Sequence, residues 1–290
     1  MKKEEIVAKI TNQIVKAMKE EPETWTRPWA GHSGMPQNPI TGTIYTGGNS
    51  MILTWNSPDP SDPRWSTYKG WASKDMQVKK GEKATHITYY NQSWKNETTG
   101  KYSKTTPANT DGWRKVGILR GYAVFHATQV DGAPVWEQPF IEDLPVEDHR
   151  EWFQTLGADW IEKPSDMAYY SPSQDQIVTP ESTQFHNIEG WWGTVAHEHI
   201  HWTGAKNRLG REKDSYAFEE LVAELGATFL ACAKGIETEP RADHISYIKS
   251  WLSALENDPN FIWKASSQAS KAMNYILENS KDRQKEGAVQ

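Results

Sequence analysis

Apolar residues open the chain at every fourth position, at Ile6, Ile10, Ile14 and Met18. That spacing lays one apolar stripe along an amphipathic helix. Charges interrupt the stretch and no long apolar core follows Lys3, so the pattern is not that of a secretion signal. Periodicity then disappears over residues 24–63, which are rich in Gly, Pro, Asn, Ser and Thr, with turn signals at Asn38-Pro39 and Gly47-Gly48-Asn49. "STYKGWASKDMQVKKGEK" predicts a short helix running into a Lys-Lys-Gly turn. "ATHITYYNQSW" switches to a two-residue alternation, with Ala84, His86, Thr88 and Tyr90 on one face and Thr85, Ile87 and Tyr89 on the other. A β-strand is expected there. The polar residues 95–112 predict a hairpin tip, and "WRKVGILRGYAVFHATQV" predicts the returning strand or two.

The pattern changes again after "VDGAPVWEQPFIEDLPVEDH", residues 130–149, whose prolines and acidic cluster suit a connector. Two domains are expected, 1–145 and 146–290. "DQIVTP" reads as a short strand ended by Pro180, and "QIVT", residues 176–179, is expected to pair with an extended peptide along its edge. Two helices should follow, from about Trp191 to Gly204 and from about Ser215 to Lys234, the second stopped by Gly235. The fold class is therefore α+β, with antiparallel hairpins in the first domain.

Composition narrows the setting. The one cysteine, Cys232, excludes an internal disulfide and fits a reducing compartment. Its apolar neighbours in "GATFLACAKG" make it a small buried hydrophobe. No apolar run approaches the roughly 20 residues that a membrane helix needs. A cytoplasmic protein with no membrane partner is expected.

Charge is divided unevenly. Residues 1–145 carry 18 Lys and Arg against 15 Asp and Glu, a net of +3, whereas residues 146–290 carry 14 against 23, a net of −9. Residues 64–120 alone hold 12 basic and 4 acidic side chains, a net of +8. Aromatics interleave with these cations: Trp65, Tyr68, Trp71, Tyr89, Tyr90, Trp94, Tyr102, Trp113 and Tyr122. Cations track phosphates and flat rings stack on unpaired bases, the two ingredients of single-stranded nucleic-acid binding. Trp65, Tyr68, Trp71, Lys79, Lys80, Lys83 and Trp94 are the contact candidates. The same rings would serve equally well as ordinary core and strand residues.

The sharpest signal is "GWWGTVAHEHIHWTG", residues 190–204, with His197, His199 and His201 around Glu198. Positions four apart share a helix face, so His197 and His201 project together and can reach one ion. His199 is rotated roughly 200° from His197 and is a bystander. The pattern is HExxH, in which two histidines hold zinc and the glutamate is the general base. Catalytic zinc takes three protein ligands and keeps one position open. The downstream helix offers Glu219, Glu220 and Glu224. Glu220, with eighteen residues between it and His201, is the expected third ligand, an arrangement like that of the gluzincins. Glu224, one turn further, is expected to accept a hydrogen bond from a ligating imidazole. Glu219 is expected to face solvent. Alternatively, all three glutamates form a solvated helix face.

Such a site would hold Zn2+, or another divalent ion such as Mn2+. It would polarise a substrate carbonyl while Glu198 moved a proton from water to the leaving amine. Tyr169, Tyr170 and His186 are candidates for an oxyanion partner. The competing reading is a non-catalytic single-strand DNA-binding or decoy protein whose metal site is structural. Glu198 favours the enzyme, because a closed structural site needs no general base and more typically uses four protein ligands.

Several stretches resemble the ArdC family of plasmid-encoded antirestriction proteins. "WTRPWAG", "PQNPITGTIYTGGNSMILTW", "DPRWSTYKGW" and "VKKGEKAT" are similar to that family's N-terminal domain. "HEHIHWTGAKNRLGR", "YAFEELVAELGATFL" and the final helical residues 244–277 resemble its zincin-like metallopeptidase domain. The resemblance implies a single-stranded-DNA-binding domain joined to a minimal gluzincin. It also implies protection of incoming conjugative plasmid DNA from host restriction, with a protein substrate or a restriction enzyme as a further partner. It carries His197, His201 and Glu220 over as metal ligands and Glu198 as general base. His199 departs from the family pattern, and residues 95–112 look like a local elaboration.

Overall fold

The structure is a computed structural model that describes residues 34–137, 144–211, 215–236, 244–258 and 260–280, with scattered positions among the first twenty. Ile6, Ile10, Ile14 and Met18 lie outside the described residues, while Ala8, Thr11, Asn12, Val15 and Lys16 between them and Lys19 after them are helical.

The predicted alternation becomes a long antiparallel ribbon. After a minimal pair, β1 (Gln37–Asn38) and β2 (Thr43–Ile44), helix α1 (Gly48–Trp55) buries Ser50 to Thr54. Next come β3 (Trp65–Thr67), the short α2 (Tyr68–Ala72), β4 (Gln77–Val78), β5 (Thr85–Asn96), β6 (Tyr102–Ser103), β7 (Trp113–His126) and β8 (Val130–Asp131). Thr67 caps α2 by accepting from the Gly70 amide at 3.0 Å. Sheet order is β3-β7-β5-β6, and β5 pairs with β7 from Thr85↔Val124 to Asn96↔Trp113. Twelve residues of β5 give the ribbon a length of about 40 Å. Its base is anchored by Ile87 and Val124, both in the main core.

In the second half, α3 (Val146–Gln154) precedes a three-stranded sheet of β9 (Asp159–Glu162), β10 (Tyr169–Ser171) and β11 (Gln176–Thr179). Its order is β10-β11-β9, with β11 antiparallel to β10 and parallel to β9. The "QIVT" strand is thus the centre of its sheet and cannot accept a peptide by edge addition. Both its edges are taken, and β10 is the outer strand that lies against the next helix. That helix, α4 (Ile188–Thr203), starts at Asn187, whose side chain accepts from the Gly190 amide at 2.9 Å. Helix α5 (Tyr216–Lys234) is capped by Ser215 and closed by Gly235 at φ 69°, a left-handed terminus suited to glycine. Helices α6 (His244–Asn257) and α7 (Phe261–Asn279) are the last elements among the described residues.

Helix α5 is buried on nearly every side, between α4 and α7. Gly226 permits this: a Cβ there would sit 2.9 Å from two carbons of Ile200 on α4. The two halves also share one core. Met51, Ile52 and Leu53 of α1 pack in the same cluster as Trp191, Leu221 and Ile276. The Gly47 amide donates to Ser270 Oγ on α7 at 2.7 Å.

Candidate metal centre and nucleic-acid surface

Helix periodicity brings His197 and His201 together, and the close approach of α5 adds Glu220. The two Nε2 atoms are 3.1 Å apart. Each is 3.5 Å from an oxygen of the Glu220 carboxylate. Two atoms bound tetrahedrally at about 2.0–2.1 Å from one ion lie about 3.3 Å apart, so this donor set fits a single divalent cation. Facing imidazole nitrogens in a buried site satisfy each other poorly, but both serve a cation between them. Among the described residues this is the cluster with metal-ligand spacing, all three donor atoms lying within 4.8 Å of one another. Glu198 is buried on the same helix.

The groups behind the candidate ligands differ from the sequence expectation. Glu219 does not face solvent. It is 3% exposed, and its Oε1 lies 3.2 Å from His201 Nδ1. Arg211, from the loop beyond α4, grips the same carboxylate at both oxygens, 3.1 and 2.5 Å away. It also donates to Thr203 Oγ1 and to the Ile200 carbonyl, each at 3.0 Å. Burial alone would raise the pKa of Glu219, yet His201 and Arg211 hold it down at about 2. The carboxylate that orients His201 is therefore Glu219, a role that became visible only with its cation in place. Glu224 lies near the other imidazole, with Oε2 3.9 Å from His197 Nδ1. For His201, burial lowers the pKa, but the Glu219 hydrogen bond and the charges of Glu198, Glu220 and Glu219 raise it above the ordinary value overall. The pocket is electrostatically prepared for positive charge.

His199 points the other way. It is fully buried, its Nδ1 lies 2.8 Å from the Val195 carbonyl, and its ring lies 4.7 Å from that of Phe153. Desolvation pushes its pKa down to about 4, so it is a neutral core residue. Burial also pushes the Cys232 thiol up to about 12, in line with an inert, half-buried cysteine packed against the core. Tyr170 is committed elsewhere: it donates to Asp175 at 2.8 Å and accepts from Arg208 at 3.1 Å. Tyr169 is 39% exposed on β10, and His186 lies exposed ahead of α4.

In the first half the contact candidates divide. Trp65 and Trp71 are each 1% exposed. Trp65 packs in the main core, and the Trp71 indole N–H donates to the Phe125 carbonyl at 3.0 Å. Neither ring is available for stacking, because the short strand and helix that carry them turn them inward. Tyr68, Lys79, Lys80 and Lys83 are exposed, although Lys79 Nζ is hydrogen-bonded to the Thr128 carbonyl. Trp94 is half-buried, with Lys115 Nζ 5.4 Å from its ring centroid. Besides Tyr68 at 49%, the exposed rings of this half are Tyr89 at 53%, Tyr102 at 59% and Tyr122 at 39%.

Comparison with known proteins agrees with this two-part arrangement. Residues 4–125 match the family described as the N-terminal domain of anti-restriction factor ArdC, and residues 147–268 match that of a zincin-like metallopeptidase. The metal-free crystal structure of the antirestriction ArdC protein from plasmid R388 matches at 32% identity and a TM-score of 0.76, over 94% of this chain and 97% of that one. This chain belongs to the ArdC antirestriction family.

The Mn(II)-bound structure of the same R388 protein matches with a TM-score of 0.71 and 30% identity, over 93% of this chain and 97% of that one. An uncharacterised Sinorhizobium fredii protein, y4eC, is 30% identical over 97% of this chain and 94% of its own length. DNA primase TraC of Escherichia coli is 34% identical over 92% of this ArdC-family chain. The chain spans only 26% of that primase's length. No described helix is long and apolar enough to cross a membrane.

Proposed function

We propose that this protein binds single-stranded DNA with its first half, carries a gluzincin-type zinc peptidase site in its second, and protects incoming plasmid DNA from host restriction. One observation carries the peptidase reading: His197, His201 and Glu220 converge at the mutual distances of ligands to one ion, beside the buried Glu198. His197, His201 and Glu220 would hold the cation, Zn2+ or Mn2+. A cation there supplies Lewis-acid polarisation of a peptide carbonyl and acidifies a neighbouring water. Glu198 takes the proton of the attacking water and returns it to the leaving amine. Glu219 orients the imidazole of His201, while Glu224 lies 3.9 Å from that of His197. Because β11 is central, β10 is the strand left to align an extended substrate beside α4. The DNA reading is supported by the basic, aromatic-rich first half, the ArdC N-terminal match and the relation to a DNA primase.

The test is Glu198→Gln. It should retain stoichiometric Mn2+ binding in calorimetry while lowering peptide cleavage by about 10²- to 10⁴-fold. Cleavage at the parent rate would sink the peptidase assignment. Plasmid protection that survives the substitution would assign protection to DNA binding alone, with the metal site structural in effect.

A further inference from the structure

We propose that single-stranded DNA seats on one particular face of the β5–β7 ribbon, with Tyr89, Tyr122 and Arg120 as its centre. This rests on the DNA-binding reading above and adds the surface. Cross-strand partners share a face, and so do residues two apart along a strand. Tyr89 is paired with Arg120, and Tyr122 with Ile87. All four therefore lie on one side of the ribbon. At the base that side packs Ile87 and Val124 into the core, and beyond them it opens to solvent with Tyr89 and Tyr122.

The two tyrosine rings meet edge to face, with centroids 6.3 Å apart and planes at 82°. They form a corner in which a flat base can stack on one ring and abut the other. Arg120 stands directly across from Tyr89, placed to meet the adjoining phosphate. The same face continues toward the tip with Lys95, whose cross-strand partners are Arg114 on β7 and Tyr102 on β6. Lys95 Nζ lies 5.8 Å from the centre of the exposed Tyr102 ring. From Tyr89 to Lys95 is about 20 Å along the strand, a span suited to a site of a few nucleotides. Neither β5 nor β7 contains an acidic residue, and this face carries Lys95, Arg114 and Arg120, with Arg114 ion-paired to Glu97 just past β5. An acidic protein partner would suit the cations but would leave the tyrosine corner unused. Paired duplex bases would not expose a face to it.

The experiment uses the full chain and a fluorescently labelled oligothymidylate of about 12 nucleotides, with a duplex hairpin for comparison, across a salt series. The parent should bind the single strand in preference to the duplex. Tyr89→Ala and Tyr122→Ala should each weaken binding about tenfold, with Tyr89→Phe and Tyr122→Phe near parent affinity. Arg120→Ala should flatten the salt slope by about 0.7. Tyr216→Ala, which removes a ring 68% exposed in the other half, should leave affinity unchanged. The exposure of both ribbon rings means that the melting midpoint should hold in every variant. If the parent binds and a variant carrying both Tyr89→Ala and Tyr122→Ala binds equally well, the surface is wrong while the DNA reading stands. If the parent binds no single strand even at low salt, the DNA reading falls and this surface with it. Equal parent affinity for duplex overturns the stacking corner.

Discussion

At the candidate metal centre, the charged pair behind His201 is enclosed and answered. Glu219 is 3% exposed and held by Arg211 and His201, and Arg211 spends its donors on Glu219, Thr203 and the Ile200 carbonyl. On the ribbon, Tyr89 and Tyr102 are more than half exposed, and their rings meet Tyr122 and Lys95 respectively. A cation of fixed size demands donors fixed to a fraction of an ångström, and buried, doubly held side chains provide that. A flexible polymer read by stacking demands accessible rings and tolerates movement. Substitutions should therefore propagate in the second half and stay local in the first.

The largest break in this contrast should come from Arg211→Ala. It leaves the Glu219 carboxylate buried with His201 as its remaining partner, a change that costs about 3–5 kcal/mol when a buried pair is broken. Urea unfolding reads that loss, and calorimetry should show Mn2+ affinity lowered about 10- to 100-fold because His201 loses its fixed orientation. Adding Glu219→Gln removes the stranded charge and should restore part of the stability, so the double variant costs less than the sum of the singles. An Arg211→Ala protein with the parent's unfolding midpoint would show that Glu219 is not the anchor of His201.

A pair of glycines sharpens the same contrast at smaller scale. Gly226→Ala puts a methyl group 2.9 Å from Ile200 and forces α4 and α5 apart, for about 1–3 kcal/mol of stability. Because these helices carry the three donors, metal affinity should fall with it. Gly121→Ala, on the ribbon, meets nothing nearer than the Ile87 carbonyl at 4.0 Å. It should be neutral or slightly stabilising, with metal affinity unchanged. Thermal melts and metal titrations of the two variants decide, and equal effects would refute the difference in rigidity.

How much of this the sequence disclosed follows from the range of each interaction. His197 and His201 share a helix face by spacing alone, and Glu220 sits on the next helix, so their convergence was legible. Glu219 was not, because an acid on a helix reads as solvated until its cation is known, and Arg211 arrives from a loop outside the motif. The strand at 176–179 was visible, but its central place was not. Centre or edge is decided by β9 and β10, which the pattern did not announce. Alternation gave the ribbon two faces without saying which is covered. By residue type alone the buried Trp65 and Trp71 therefore group with Tyr68 and Trp94 as candidates for stacking.

The smallest expected effect lies at the join between the second sheet and the metal helix. Asp175, in the β10–β11 turn, pairs with Arg208, whose guanidinium also donates to the Trp202 carbonyl at 2.6 Å and lies 4.1 Å over the Trp202 ring. The Arg208 hydrogen bond holds the Asp175 pKa below its ordinary 3.8, against a smaller opposing effect of burial and with help from Tyr170. A depressed carboxylate pKa stabilises the fold above the unfolded value and loses that contribution as pH falls through the folded one. Asp175→Asn should therefore cost up to about 1 kcal/mol near neutral pH, and the gap to the parent should close as pH drops below 3.8. The backbone at Asp175 is left-handed, φ 53°, a conformation that asparagine also tolerates, so the substitution isolates the charge. Urea midpoints of parent and variant at stepped pH read the gap directly. The absence of a gap near neutral pH would mean that the turn is held by its backbone and that the Arg208 pair contributes nothing to fixing the sheet on α4, and a gap that persists unchanged in acid would mean that its cause is not the Asp175 charge.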